Sequence, residues 1–248
     1  MTEDRAPSHA TESILQAGAP AGASRAALVV VHGRGATAQG AINLFEPLSR
    51  HGLSVFAPQA FRDRWYPPTP ETELEPDDPW LVASVDRVET CLERASAVGV
   101  GAERTVLVGF SQGARVAAEF LCQFPRRYGG AGILAGTVPG VSSESDEPSD
   151  RQLQSPSRSR PRSRSRSRPR PQPRLPDGSL ERTPILLAFG DDDPYVSLAA
   201  ARASATILEE AGGDVEVMAT PDTGHAVSDE AFAWLERRIE AVLESTTR

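Results

Sequence analysis

Residues 105–124 read TVLVGFSQGARVAAEFLCQF, and this stretch decides the fold of the 248-residue chain. Its first six residues form an apolar run typical of a strand buried on both faces, and residues 114–124 have a helix-like pattern. Between them lies a G-x-S-x-G turn, Gly109-Phe110-Ser111-Gln112-Gly113. A strand, this turn and a helix in succession predict a nucleophile elbow, in which two glycines leave the serine hydroxyl exposed.

Strands and helices alternate on both sides of this unit. Apolar runs predict buried strands at Ala27–Val31, Ser54–Ala57, Gly132–Ala135 and Ile185–Phe189, and an alternating run predicts a strand nearer an edge at Val215–Ala219. Helical spacing predicts helices at 81–95, Ser197–Ala211 and 232–242, the last with Ser228 as its cap. The alternation predicts an α/β domain with a mostly parallel central sheet and helices on both faces.

Two segments depart from this pattern. Residues 1–24 are polar and rich in Ala and Gly, which predicts a flexible tail before a domain over 25–248. Residues 142–180 pass from an acidic, serine-rich patch into Ser-Arg and Pro-Arg repeats. Such a sequence cannot bury enough apolar surface to offset the entropy of ordering, so we predict a disordered insertion. We interpret it as a solvated loop expansion; a tether for nucleic acid or acidic partners through 151–174 is the alternative.

The charge distribution is uneven. The net charge is -8, yet nine arginines fall within 151–174, leaving 17 basic against 34 acidic residues elsewhere. The chain also contains no lysine. We hypothesise that the acidic body is adapted to a high-salt cytosol, where counterions screen self-repulsion.

Location and redox state follow from short segments of the sequence. Residues 1–24 have neither a basic region nor a continuous apolar region of a secretory signal, and no stretch is typical of a membrane span. These features predict a cytoplasmic protein. Cys91 and Cys122 both fall on or near apolar helix faces, which predicts buried free thiols.

A serine nucleophile needs a base, and the chain has four histidines. When the serine lies on an elbow of this kind, the order along the chain is serine, acid, histidine. His225 alone follows Ser111, and it lies in a loop before the last predicted helix. The acid is expected in the loop after Ile185–Phe189, which holds three consecutive aspartates, Asp191-Asp192-Asp193. From the residues alone any of the three can orient the imidazole; a cation site on them is the alternative, and we expect no metal.

Donors for an oxyanion are expected next to the serine. The turn His32-Gly33-Arg34-Gly35 follows the first predicted strand, so we expect the backbone N–H groups of Arg34 and Gln112 to form the oxyanion hole. The same turn fits a degenerate dinucleotide fingerprint, G-x-G-x-x-A, from Gly33 to Ala38. That alternative requires an acidic residue at the end of the next strand, where the sequence is Phe56-Ala57-Pro58-Gln59. We therefore expect no cofactor.

Taken together, these motifs resemble the α/β-hydrolase superfamily, and more closely its phospholipase/carboxylesterase family, which includes the acyl-protein thioesterases. The resemblance extends from about 27 to 243 apart from the Ser-Arg segment. It rests on HGRGATA at 32–38, APQA at 57–60, WYP at 65–67, GFSQG at 109–113, DPYV at 193–196 and Gly224-His225. It implies an α/β-hydrolase fold, selects Asp193 as the acid, supports Arg34 and Gln112 as oxyanion donors, and places Trp65 and Tyr66 at the substrate pocket.

The function predicted from these residues is a serine carboxylesterase. We expect hydrolysis of short- to medium-chain esters through an acyl-enzyme, with a small-molecule ester as the partner. The alternatives within the class are a lysophospholipase and an acyl thioesterase. The alternative from another class is a degenerate hydrolase that acts as an interaction protein through its arginine-rich tract. The oligomeric state stays open, with a homodimer as one candidate.

Overall fold

The computed structural model describes residues 9–67, 77–141 and 179–245. One sheet runs through it in the order β1-β3-β2-β4-β5-β6-β7. The strands are β1 Ile14–Gly18, β2 Ala26–Val31, β3 Leu53–Pro58, β4 Thr105–Phe110, β5 Gly130–Leu134, β6 Pro184–Gly190 and β7 Asp214–Thr220. β1 pairs antiparallel with β3, and the other six strands are mutually parallel. The prediction of a mostly parallel sheet is confirmed.

In the described part of the chain, five α-helices flank the sheet. They are α1 Ala38–Leu44, α2 Pro79–Ala97, α3 Gln112–Gln123, α4 Leu198–Glu210 and α5 Asp229–Glu244. Short 3-10 helices occur at His9–Thr11, Ala21–Ala23, Glu46–Leu48, Phe61–Asp63 and Ala102–Arg104. Ser228 accepts a hydrogen bond from the Ala231 N–H at 3.2 Å, which confirms the predicted cap of α5.

Alternate residues of the central strands enter two cores, one on each face of the sheet. Val29 and Val31 of β2 pack among residues of α2, α3 and α4, whereas Leu28 and Val30 pack among residues of α1 and α5. All of β2 and β3 is buried, as the continuous apolar runs predict. β7 lies at the sheet edge and is only partly buried, which confirms its predicted edge position.

The amino-terminal segment differs from the sequence prediction. Residues 1–8 lie outside the described residues, but 9–24 are not a free tail: Ile14–Gly18 form β1, which pairs with β3 from Ile14↔Pro58 to Gly18↔Ser54. His9, which we expected in this tail, is fully buried. Residues 9–24 contain too few apolar residues to predict a strand. β1 is instead held by its pairing with β3, about 40 residues further along the chain.

The insertion predicted at 142–180 lies outside the described residues, except for Ser179 and Leu180. Leu180 is fully buried in the core, and its N–H donates to the Ala211 carbonyl at 2.8 Å. The domain therefore resumes before the predicted boundary. Cys91 and Cys122 are buried and no disulfide bond joins them, which confirms that prediction.

Membrane-spanning helices and clusters of metal-ligating side chains are both absent from the described part of the chain. Within it, no helix has the length and apolar character needed to cross a membrane. Across the same ranges, no three or more His, Cys, Asp or Glu side chains lie together as a metal site would require.

Candidate active site

Ser111 occupies a sharp turn between β4 and α3. Its backbone has φ 54° and ψ -119°, a conformation that residues other than glycine rarely adopt. The turn is held by the Ser111 N–H, which donates to the Leu134 carbonyl of β5 at 2.8 Å. The strained corner lifts the serine side chain out of the sheet at the carboxyl end of β4.

The two glycines of the motif are required by close backbone approaches. A Cβ at Gly109 would lie 2.2 Å from the Gly113 carbonyl oxygen, and a Cβ at Gly113 would lie 2.2 Å from the carbonyl oxygen of Val31 in β2. Backbone atoms cannot move aside as a flexible side chain can, so any other residue would push α3 away from β2 and β4. The first turn of α3 is thereby held directly over the ends of the two central strands.

Three side chains from distant parts of the chain form one line of hydrogen-bonded contacts. His225 Nε2 lies 2.8 Å from Ser111 Oγ, and His225 Nδ1 lies 2.9 Å from Asp193 Oδ2. The Asp193 side chain is fully buried, whereas a quarter of the His225 side chain is exposed. Rings of Phe110 and Tyr195 lie on His225 with centroid distances of 5.3 and 4.8 Å. The structure thus brings together the three residues that the sequence singled out.

Each of the three consecutive aspartates holds a different part of the loop that carries His225. Asp191 Oδ1 accepts from the Asp222 N–H at 3.1 Å, and Asp192 Oδ1 accepts from the Gly224 N–H at 2.6 Å. Asp193 contacts the imidazole itself, and its other oxygen accepts from the Tyr195 N–H at 2.8 Å. The first two carboxylates therefore brace the loop backbone, a role that the sequence reasoning missed.

The turn after β2 lies beside Ser111, where a Cβ at Gly33 would be 3.4 Å from the Ser111 Cβ. The turn after β2 closes through the Ala36 N–H, which donates to the Gly33 carbonyl at 3.2 Å, with Gly35 at φ 75°. Arg34 and Gln112 both line the cavity that contains Ser111. Within the described ranges, the N–H groups of Arg34 and Gln112 form no hydrogen bond. Gln112 is the first residue of α3, where a helix leaves its N–H groups unpaired.

The side chain of Gln112 holds the segment that carries Trp65 and Tyr66. Its Oε1 accepts from the Trp65 N–H and its Nε2 donates to the Tyr66 carbonyl, both at 2.9 Å. The Trp65 indole N–H donates to the His32 carbonyl at 2.7 Å. The sequence suggested only a backbone role for Gln112; the buried side chain was not signalled by local spacing, because its partners lie about 47 residues away.

The two predicted pocket residues have different surroundings. Tyr66 lines the cavity, but Trp65 is fully buried behind it and is absent from the lining. Its indole N–H reaches back to the turn after β2, which draws the ring into the core. Trp65 therefore supports the pocket wall instead of forming its surface.

Two buried histidines outside this line support the same wall. His32 Nε2 accepts from the Ala60 N–H at 3.1 Å and its Nδ1 donates to the Gly33 carbonyl at 2.7 Å. His9 Nδ1 accepts from the Phe61 N–H at 3.0 Å, and its Nε2 lies 3.1 Å from the Trp65 carbonyl. Burial lowers the pKa of His32, and it lowers the pKa of His9 to about 4. Both rings act as neutral hydrogen-bonding partners of the backbone.

The cavity over Ser111 has a volume of about 580 Å³, within the range of small-molecule sites. Its wall joins the turns after β2 and β4 to the loops after β5, β6 and β7, so it lies at the carboxyl ends of the parallel strands. Tyr66, Phe110, Tyr195 and Val196 supply apolar surface. Arg115 also lines this cavity, and the sequence reasoning did not identify it.

The family model described as Phospholipase/Carboxylesterase matches residues 13–152, more than half of the chain. The chain belongs to this family. The match spans the turns that carry Arg34 and Ser111, and it ends before Asp193 and His225. A second model, described as the prolyl oligopeptidase family, matches residues 85–242 and spans both of these later residues.

Relatives of this phospholipase/carboxylesterase family chain carry esterase names. It is 25% identical over 186 residues to "Probable carboxylesterase SOBER1-like" of Arabidopsis thaliana, covering 74% of this chain and 60% of that protein. It is 29% identical over 134 residues to "Esterase YpfH" of Escherichia coli strain K12, covering 54% and 43%. The chain thus spans about three fifths or less of the length of these relatives.

A solved structure covers nearly the whole fold. The phospholipase/carboxylesterase from Dyadobacter fermentans is 26% identical, with a TM-score of 0.74, and the match covers 93% of this chain and 97% of that one. The α/β-hydrolase fold expected from the sequence is therefore confirmed. The segments that follow β4, β6 and β7 of this chain carry Ser111, Asp193 and His225.

Proposed function

We propose that this chain is a serine carboxylesterase that hydrolyses short- to medium-chain esters through an acyl-enzyme. The observation that carries the proposal is the unbroken line from Asp193 through His225 to Ser111, with contacts of 2.9 and 2.8 Å, at the wall of a cavity of about 580 Å³. The family and the esterase names of its relatives support the same activity.

Each step of the reaction has a group in position for it. His225 Nε2 takes the proton of Ser111 Oγ as this oxygen attacks the ester carbonyl, and Asp193 stabilises the imidazolium. The oxyanion accepts from the N–H groups of Arg34 and Gln112, where one donor is typically worth about 3 kcal/mol of barrier. His225 then protonates the departing alcohol. Water repeats the sequence on the acyl-enzyme, releasing the carboxylic acid and restoring Ser111.

The experiment that tests this proposal removes the nucleophile. We expect Ser111→Ala to lower kcat for 4-nitrophenyl butyrate by about 10⁴-fold or more, because the acyl-enzyme cannot form. A fluorophosphonate probe should label the unsubstituted protein and leave Ser111→Ala unlabelled. Ser96→Ala, on the exposed side of α2, is the matched control and should keep full activity and labelling. An active and labelled Ser111→Ala variant would refute the proposal.

Lysophospholipase and acyl thioesterase activities use the same residues. The order of preference is tested by comparing butyryl oxygen esters, butyryl thioesters and lysophosphatidylcholine at equal concentration. The interaction-protein alternative depends on 151–174, which lie outside the described residues. Salt-sensitive nucleic-acid binding that disappears on deleting 151–174, in a protein that fluorophosphonate does not label, would favour it.

We also propose that the protein is cytoplasmic and that it is adapted to high salt. The excess of acidic residues outside 151–174 supports the adaptation to high salt. We expect activity and helical circular dichroism to decline as salt falls from molar to tens of millimolar. Cell fractionation tests the cytoplasmic location.

A further inference from the structure

Arg115 lies near the start of α3, four residues after Ser111. Both line the cavity, and the Arg115 N–H donates to the Ser111 carbonyl at 3.3 Å. The guanidinium is therefore within reach of a substrate whose carbonyl carbon is at Ser111 Oγ.

The Arg115 guanidinium has no anionic partner in the described part of the chain. Its Nε is completely buried, and among the described residues it has neither a hydrogen-bond acceptor nor an ion-pair partner. Arg126, whose Nε is also unpaired, instead reaches Glu89 through Nη2 at 3.0 Å. Arg87 reaches the Glu12 carbonyl at 2.6 Å in the same way. An unpaired, half-buried cation is costly, and a bound anion would offset that cost.

The cavity around Arg115 is positive, although the chain is acidic overall. Its lining includes Arg34 and Arg115, and no Asp or Glu of the described residues lines it. The N–H groups at the start of α3 add partial positive charge on the same side. A ligand in this cavity thus meets cationic groups without a competing carboxylate.

Tyr66 offers a second donor beside Arg115. Its ring lines the cavity, and its hydroxyl makes no hydrogen bond within the described ranges. Burial raises the pKa of Tyr66 to about 12, an effect that the nearby Arg115 charge opposes. The phenol therefore keeps its proton at neutral pH and can donate to an anion.

We propose that Arg115 selects esters that carry a carboxylate, which it binds together with the Tyr66 hydroxyl while Ser111 attacks the ester. The inference rests on the proposed esterase function and names its substrate class: hemiesters of short dicarboxylic acids, or acyl esters of hydroxy acids. Arg115 is a specificity-determining residue. The carboxylate takes no part in bond making or breaking, which remains the transfer of the acyl group to Ser111 and then to water.

The test uses substrates that differ in the charged group. For the acyl side, 4-nitrophenyl hydrogen glutarate is compared with 4-nitrophenyl pentanoate, in which a methyl group replaces the carboxylate. For the alcohol side, 4-acetoxybenzoate is compared with 4-methylphenyl acetate. Arg115→Gln should lower kcat/KM for the charged member of one pair by at least about tenfold, since a hydrogen bond to a charged group contributes about 1.5–3 kcal/mol. The neutral member should change less than about threefold.

Two further variants separate charge from packing. Arg115→Lys keeps the positive charge and should recover part of the preference for the charged substrate. Arg202→Gln, an exposed arginine on α4 outside the cavity lining, is the matched control for total charge and should leave both pairs unchanged. Equal losses on charged and neutral substrates in Arg115→Gln would overturn the inference, and so would an unchanged preference in both pairs.

A binding measurement distinguishes failure of this inference from failure of the proposed activity. Glutarate is titrated calorimetrically into Ser111→Ala, with and without Arg115→Gln. We expect the second substitution to weaken glutarate binding at least about tenfold. If the unsubstituted protein hydrolyses no ester and resists fluorophosphonate, the esterase proposal fails, while Arg115-dependent glutarate binding would still support the anion site. Hydrolysis of neutral esters without glutarate binding would refute the anion site alone.

Discussion

Ser111 and His225 are in contact, yet the parts of the chain that carry them are held in different ways. The Ser111 turn lies at the end of β4 in the middle of the sheet, where close backbone packing against Val31 fixes the start of α3. The His225 loop follows β7 at the sheet edge, where it donates hydrogen bonds to the carboxylates of Asp191, Asp192 and Asp193. Ser111, the proposed nucleophile, thus depends on packing, and His225, the proposed base, depends on a small polar network.

Because of this difference, substitutions on the two sides should have different effects. Substitutions on the Ser111 side should act on the stability of the whole domain, because α3 and the central strands cannot move independently. Substitutions on the His225 side should act on the reaction while leaving the core intact, since the loop is partly exposed and its bonds are local.

The largest effect is expected from Asp193→Asn. An asparagine cannot stabilise the imidazolium and favours the wrong tautomer of His225, so kcat for 4-nitrophenyl butyrate should fall by about 10³–10⁴-fold. The melting temperature should change little. Asp191→Asn is the matched control and should remain within about fivefold of the unsubstituted protein. Equal losses in the two variants would mean that the loop as a whole, and not the Asp193 contact, holds the base.

Gly113→Ala tests the packing of the Ser111 side. The added Cβ would lie 2.2 Å from the Val31 carbonyl oxygen and 2.5 Å from that of His32, so the free energy of unfolding should fall by about 3 kcal/mol or more. Urea denaturation measures the change. Gly22→Ala is the control, because a Cβ there has no atom within 4 Å, and it should change stability by less than about 0.5 kcal/mol. A well-folded Gly113→Ala variant would contradict the packing account.

Protonation of His9, which supports the pocket wall, should destabilise the folded protein. Its pKa is lowered to about 4 by burial, whereas the unfolded chain has an ordinary histidine value near 6.5. The unfolded state therefore binds the extra proton between these values, so stability is present above about pH 6.5 and is lost as the pH falls toward 4. The loss is at most about 3 kcal/mol.

The pH effect is measured as unfolding free energy between pH 7 and pH 4, in parallel with His9→Asn. The variant should be less stable at pH 7 and should lose less stability on acidification. Burial also lowers the pKa of His32, so part of the pH dependence should persist. An identical pH profile in the variant would show that His9 does not titrate with folding.

The smallest effect is expected from Asp192→Asn. The substitution weakens the charge-assisted hydrogen bond to the Gly224 N–H without touching His225, so kcat/KM should fall about three- to fivefold, equivalent to about 1 kcal/mol. Esterase assays measure it. A loss as large as that of Asp193→Asn would contradict the separate roles of the two side chains, in which Asp192 holds the loop backbone and Asp193 contacts the imidazole.

Local patterns were enough to predict the six parallel strands, four of the helices and the Ser111 turn. Hydrophobic periodicity and turn residues involve only a few neighbouring positions, so they can be recognised in the sequence. The order of serine, acid and histidine added His225, because the carboxyl ends of parallel strands meet at one edge of the sheet. Asp193 needed more: the residues alone left three aspartates, and the family resemblance selected the one that the structure brings to His225.

What only the tertiary structure decided are contacts between residues far apart in sequence. β1 exists because it pairs with β3, and His9 is buried because it bridges Phe61 and Trp65. The same holds for the Gln112 side chain on Trp65 and Tyr66.

The sequence by itself determined the α/β architecture and singled out Ser111 and His225, since these follow from short-range patterns and chain order; Asp193 was selected only by the family resemblance. The tertiary structure decided that Trp65 backs the pocket and that the Arg115 guanidinium lines it without an anionic partner among the described residues. The physical reason is that burial and charge pairing depend on which atoms meet when distant segments pack, and no local pattern encodes those meetings.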